Sequence, residues 1–151
     1  MSRAAIIACS ATKVHQSGAS APAWCVYDGP AWRTLRAWWR HHPVAHALGE
    51  PTVLALSAEY GLISASARIA HYDRRMTPAR VEILATDDAR ERAAELLAGV
   101  DDLVVFGAAL YVDLARRLIP DRIRWRRAGA SESRAGGIGH QLGALRRWLD
   151  A

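Results

Sequence analysis

The chain has 151 residues, 51% of them apolar and 23% charged, which excludes a disordered chain and leaves room for one domain with a substantial core. No apolar run approaches the roughly 20 residues of a membrane helix, and no basic stretch followed by an apolar one opens the sequence. The expectation is a cytoplasmic protein with no membrane partner; the net charge of +5 is compatible with a polyanionic partner without singling one out.

Of the 20 basic residues all but Lys13 are arginine. Such a bias suits a GC-rich genome and says little about function. The one lysine is either a compact point charge for a phosphate in a tight loop or a chance survivor on the surface, and the sequence leaves both open. Two cysteines are too few for a disulfide framework. Cys9 closes an apolar run and reads as a small buried hydrophobe, with a reactive thiol as the lesser alternative. No CxxC or HExxH spacing occurs, and neither a metal nor a cofactor is expected.

In chain order, Ala4 to Cys9 is a short apolar run that breaks into Ser10-Ala11-Thr12-Lys13, a buried strand running into a polar loop. Residues 14–24, rich in Ser, Gly, Ala and Pro, read as an exposed loop. The turn Tyr27-Asp28-Gly29-Pro30 starts a helix near 31 that carries Trp32, Leu35, Trp38 and Trp39 and stops before Pro43. A second strand, Thr52 to Leu56, breaks at Ser57-Ala58-Glu59-Tyr60-Gly61. Thr77 and Pro78 suit the N-cap and first position of a helix running to about Ala98, with a second N-cap available near Thr86. Leu103 to Phe106 is a third strand ending at Gly107, a helix follows over about 109–118, and Arg122 to Arg126 alternates like a strand. Gly136-Gly137-Ile138-Gly139 opens a last helix with Leu142, Leu145 and Leu149 on one side.

Strands alternating with helices predict a single α/β domain over 1–151, a mainly parallel sheet with helices on both faces in a Rossmann-like three-layer arrangement. Ligands of such sheets bind beyond the carboxyl ends of the strands. The polar residues concentrate there. Ser10, Thr12 and Lys13 can cradle and neutralise an anion, although GxxxxGK[ST] and GxGxxG are both absent. Ser57, Glu59, Tyr60 and Gly61 follow the second strand, where Glu59 is either a general acid or base beside Tyr60 or an exposed carboxylate. Tyr72-Asp73-Arg74-Arg75 holds either a poised carboxylate or half of a surface ion pair. Gly137 and Gly139 allow a phosphate to approach a helix end, or merely reverse the chain. Trp38-Trp39 beside Arg40, His41 and His42 either stack bases or pack a helix.

Taken together, ACSATK after the first strand, VYDGPAWRTLR, LSAEYGLI after the second strand, a following YD and a terminal GIG before a helix resemble a family of small phage and bacterial proteins. Its members are labelled YaaA-like or queuine tRNA-ribosyltransferase-like. The resemblance covers most of the chain. It implies polar site positions at Ser10, Lys13, Tyr27, Ser57, Tyr60, Gly61, Tyr72, Asp73, Gly137 and Gly139. Relatives commonly carry lysine at the position of Glu59, which raises Asp73 by contrast. A link to nucleobase, nucleotide or nucleic-acid metabolism is implied as well.

The resulting expectation is an enzyme that hydrolyses or transfers at the N-glycosidic bond of a nucleotide or modified nucleoside. Phosphate would sit with Ser10, Lys13 and the last helix, the base or ribose between Tyr60 and Tyr72, and Asp73 would stabilise the oxocarbenium-like centre or activate water. The alternative is a nucleic-acid-binding protein, using its basic surface and the tryptophan pair without turnover. Oligomeric state is not legible.

Overall fold

The computed structural model describes residues 2–10, 13, 19–128, 130–131, 134–135 and 138–151. Thr12 and Gly137, two of the candidate positions, lie outside the described residues.

From the N-terminus, β1 (Ser2–Ala8) is followed by β2 (Ala21–Pro22), a single turn α1 (Ala23–Val26), α2 (Pro30–His41) and α3 (Pro43–Ala47). Next come β3 (Thr52–Ser57), β4 (Gly61–Ser64), β5 (Arg68–Ile69), α4 (Pro78–Leu84) and α5 (Asp87–Leu96). The chain closes with β6 (Val100–Phe106), α6 (Ala109–Leu118), β7 (Arg124–Arg127), β8 (Ala130–Ser131), β9 (Arg134–Ala135) and α7 (Ile138–Asp150).

The main sheet has the order β4-β3-β1-β6-β7. Its β1–β3, β1–β6 and β6–β7 pairings are parallel, and β4 alone among its strands runs antiparallel, at the edge beside β3. Strand alternation divides the core in two. Ala4, Ile6, Leu54, Leu56, Leu103 and Val105 face the layer of α4, α5 and α6, among Val81, Leu97 and Leu114. Ala5, Ile7, Val53, Ala55, Val104 and Phe106 face α2 and α7, among Trp32, Leu35, Leu145 and Leu149. A strand apolar on both sides is what a buried parallel sheet requires, so the short unbroken runs in the sequence belong to strands and not to amphipathic ones. The fold is the three-layer α/β arrangement expected from the order of elements.

Local chemistry sets the helix starts. Thr77 Oγ1 accepts the Arg80 N–H at 3.0 Å to open α4, and Thr86 Oγ1 accepts the Ala89 N–H at 3.1 Å to open α5. The long segment to about 98 is therefore two helices. Pro43, expected to end a helix, also begins α3, where its missing N–H costs nothing. The break after the second strand is a tight reversal into β4. Ser57 pairs with Gly61, whose φ of +74° is a left-handed conformation suited to glycine. The supposed exposed loop over 14–24 needs correction at its described end. Ala21 and Ala23 are buried, because β2 pairs antiparallel with β5 and seals the α2 side of the core.

β1 is central, and the chain leaves it for β3 on one side before crossing to β6 on the other. The loops after β1 and β6 thus diverge, opening a crevice at the carboxyl ends of these two strands.

Candidate active site

Two glycines shape that crevice. At Gly107, just past β6, an added Cβ would lie 2.9 Å from Ala8 Cβ and 3.2 Å from Tyr111 Cβ, so only glycine lets α6 begin this close to the end of β1. Tyr111 on the first turn of α6 thereby reaches Cys9, with its Oη 3.1 Å from Cys9 Sγ. At Gly29, an added Cβ would lie 2.7 Å from Ser10 Cβ. Ser10 Oγ accepts the N–H groups of Asp28 at 3.2 Å and Gly29 at 3.1 Å, which ties the loop after β1 to the start of α2. Asp28 in turn pairs with Arg33 at 3.1 Å and with Arg36, and these guanidinium groups, Arg33 first, hold its carboxyl below the ordinary carboxylate range. Gly29→Ala is expected to destabilise the fold by about 1–3 kcal/mol, as overpacking at a close contact does. Urea unfolding checks this; an unchanged midpoint would mean the Ser10–Gly29 contact relaxes freely.

Two cavities open from the crevice and share Cys9, Ser10, Ala108 and Tyr111. The larger, about 650 Å³, is lined on its far side by Lys13, Asp73, Arg74 and Arg75. Into it opens the start of α6, which has Ala108 at the N-cap and no side-chain cap. Among the described residues its first N–H groups therefore have no intrahelical or side-chain partner, and they favour negative charge. The smaller, about 340 Å³, lies between the starts of α2 and α7 and is walled mainly by apolar side chains such as Pro30, Phe106 and Leu142.

Beneath the crevice runs a ladder of hydroxyls. Tyr72 Oη lies 2.7 Å from Tyr27 Oη and 2.8 Å from Ser57 Oγ. Ser57 Oγ already accepts the N–H groups of Glu59 and Tyr60, so its own proton is donated to Tyr72. Lys13 Nζ stands 4.5 Å above the Tyr72 ring, a cation–π contact that holds the ammonium beside the larger cavity. Burial, only partly offset by the neighbouring hydroxyls of Ser57 and Tyr72, pushes the Tyr27 phenol up to about 12. Burial likewise raises Tyr72 and Tyr111, and the neighbouring Cys9 adds to both. These phenols are neutral donors at ordinary pH, not phenolate bases.

That neutrality has a consequence for stability. The Tyr27 phenol titrates near 10 when unfolded and near 12 when folded. Its contribution is complete below pH 10 and is lost as pH rises to about 12, because the unfolded chain releases the proton first. From Tyr27 alone the loss is about 2–3 kcal/mol. The urea midpoint should therefore fall steeply between pH 10 and 12 and fall less in Tyr27→Phe; a flat profile in the parent protein would refute the buried ladder.

The structure gathers Ser10, Lys13 and Asp73 around the larger cavity. Tyr27 and Ser57 are fully buried and bear on the site only through Tyr72. Tyr60 is 40% exposed and meets Tyr72 edge-on at 5.5 Å, outside the lining of either cavity. Glu59 forms an ion pair with Arg74, and Gly61 serves the β3–β4 reversal. Gly139 is exposed on the first turn of α7 and lines neither cavity. Asp73 is exposed and has no hydrogen-bond or ion-pair partner among the described residues.

Three lining residues escaped the sequence reading. Cys9, taken as a buried hydrophobe, is half-buried at the junction of the cavities. Its position at the end of the first strand was the available signal. Tyr111 and Gln141 sit in ordinary amphipathic helices and carry no local signal. The tryptophan pair is engaged internally. Trp38 stacks on His42 at 3.9 Å, and buried Trp39 stacks on His46 at 4.5 Å. Among the described residues no three of His, Cys, Asp and Glu cluster as a metal site, and no helix is long and apolar enough to cross a membrane. In comparisons with known proteins, no family model, no curated protein and no solved structure matches the chain.

Proposed function

We propose that the crevice binds a nucleotide or a phosphorylated modified nucleoside, and that the protein is an enzyme that breaks or transfers its N-glycosidic bond. The observation that carries this reading is the convergence of Lys13, Arg75, the uncapped start of α6 and the carboxylate of Asp73 on one cavity at the switch point of the sheet. Two cations and a helix N-terminus suit a phosphate dianion. A carboxylate beside them is out of place in a plain anion site and fits the oxocarbenium-like centre of glycoside cleavage. The resemblance to YaaA-like proteins points the same way.

In this mechanism Lys13 and Arg75 hold the phosphate, and Asp73 takes a proton from the attacking water as its oxygen bonds to the anomeric carbon. The glycosidic pair of electrons leaves with the base. The departing base takes a proton from solvent and Asp73 returns the proton it gained to solvent, so one water is consumed and the protein is unchanged. Neutral Tyr111, at the cavity junction, is a hydrogen-bond donor for the departing group.

The test is a thermal-shift series with nucleoside mono-, di- and triphosphates and free bases, followed by chromatography of any stabilising nucleotide for base release. Stabilisation with release supports the proposal. Stabilisation without release removes the glycosidic step, and no stabilisation by any phosphorylated compound removes the phosphate site. The nucleic-acid alternative draws less support from the tryptophan pair, since His42 stacks on one face of Trp38 and buried Trp39 stacks on His46.

A further inference from the structure

Resting on the phosphate reading of the larger cavity, we infer that the smaller cavity is the subsite for an uncharged planar heterocycle, and that the Gln141 side chain reads its hydrogen-bonding edge. None of the described residues lining this cavity is Asp, Glu, Lys, Arg or His. A phosphate or carboxylate placed there would meet no charged side chain among the described lining residues, whereas the larger cavity offers Lys13 and Arg75, so the uncharged end of a ligand fits here better. The walls of Pro30, Phe106 and Leu142 are flat or apolar and suit the faces of a ring. A cavity of about 340 Å³ is open to a ring of this kind, and its mouth runs into the larger cavity over Cys9, Ser10 and Tyr111.

The polar lining is sparse, which is what makes it selective. Gln141, half-buried in the first turn of α7, presents an amide with one acceptor and two donor positions. Among the described residues that amide has no hydrogen-bond partner. An amide edge of this kind complements a base edge that offers a donor beside an acceptor, the pairing by which glutamine reads purines. The electrostatics fix the direction of the ligand: the base enters the neutral cavity and the phosphate the cationic one. The bond joining base to sugar then lies at the junction. This puts the base between α2 and α7, and not between Tyr60 and Tyr72 as the sequence alone suggests.

The experiment measures affinities by titration calorimetry for ribose 5-phosphate and for the four common ribonucleoside 5′-monophosphates, with the parent protein and with Gln141→Leu. In the parent, at least one mononucleotide should bind about tenfold or more tighter than ribose 5-phosphate. In Gln141→Leu that nucleotide should weaken about tenfold, the worth of one bidentate amide edge. Ribose 5-phosphate should bind both proteins equally, which also shows that the variant is folded. If ribose 5-phosphate binds the parent as tightly as every mononucleotide, or the variant keeps the parent's order of preference, the base subsite is refuted while the phosphate site stands. If no phosphorylated probe binds the parent, the phosphate reading falls and takes the subsite with it.

Discussion

Replacing Asp73 with asparagine is expected to lower base release by about 10²–10⁴-fold, the usual worth of a positioned general acid or base, and to leave ligand affinity unchanged. The separation of the two effects follows from the surroundings of the side chain. Asp73 is exposed and makes no hydrogen bond or ion pair with the described residues, so an isosteric amide disturbs no folded contact. The phosphate contacts proposed above are with Lys13, Arg75 and the α6 N–H groups, none of which the substitution touches. What the amide lacks is the capacity to take a proton from water and to face a developing positive charge with a negative one. Glu59→Gln is the internal control. The Glu59 carboxylate is paired with Arg74 and lines neither cavity, so its loss should change turnover little. The readout is single-turnover release of base beside calorimetric binding. Parallel loss of binding and turnover in Asp73→Asn would make Asp73 a structural or binding residue. Equal loss of turnover in Glu59→Gln would move the general-base role to Glu59.

The parts of this molecule that were legible in the sequence are those governed by near neighbours in the chain. Four of the main-sheet strands are marked by short apolar runs or alternation, and the starts of α4 and α5 by threonines whose hydroxyls cap them. β4 was not legible. Its four residues are too few for a period, and the reversal before it depends on Ser57 Oγ gathering two N–H groups and on the left-handed Gly61. The general location of the site was legible because alternating elements put the strand-end loops on one edge. Its composition was not, because that depends on which strands are neighbours. Tyr111 meets Cys9 only because β6 lies beside β1 and Gly107 has no side chain. The same holds for the hydroxyl ladder. It joins Tyr27, Ser57 and Tyr72 from three separate segments, and burial turned two apparent contact residues into supports for the third.

Trp32→Ala is expected to cost about 3–5 kcal/mol of folding free energy, a large share of the roughly 5–15 kcal/mol that holds a typical domain together. Trp32 lies on the second residue after the α2 N-terminal proline, is only 1% exposed, and packs its ring at 5.3 Å against that of Tyr27. Its Nε1–H donates to the Ala8 carbonyl at 2.9 Å, at the carboxyl end of the central strand. The residue thus fastens the start of α2 to the floor of the crevice, and truncation leaves a cavity that rigid neighbours on β1 and β6 cannot fill. Trp32→Phe should cost less, since it keeps most of the apolar volume and loses mainly the bond to Ala8, worth about 1 kcal/mol. Urea unfolding with an unchanged slope measures both. Trp32 also lines the smaller cavity, so the alanine protein, if it remains folded, should lose base preference while still binding ribose 5-phosphate. A cost below that of Trp32→Phe would mean that α2 is anchored elsewhere, through Leu35 and Trp39, and that the crevice tolerates movement of the helix start.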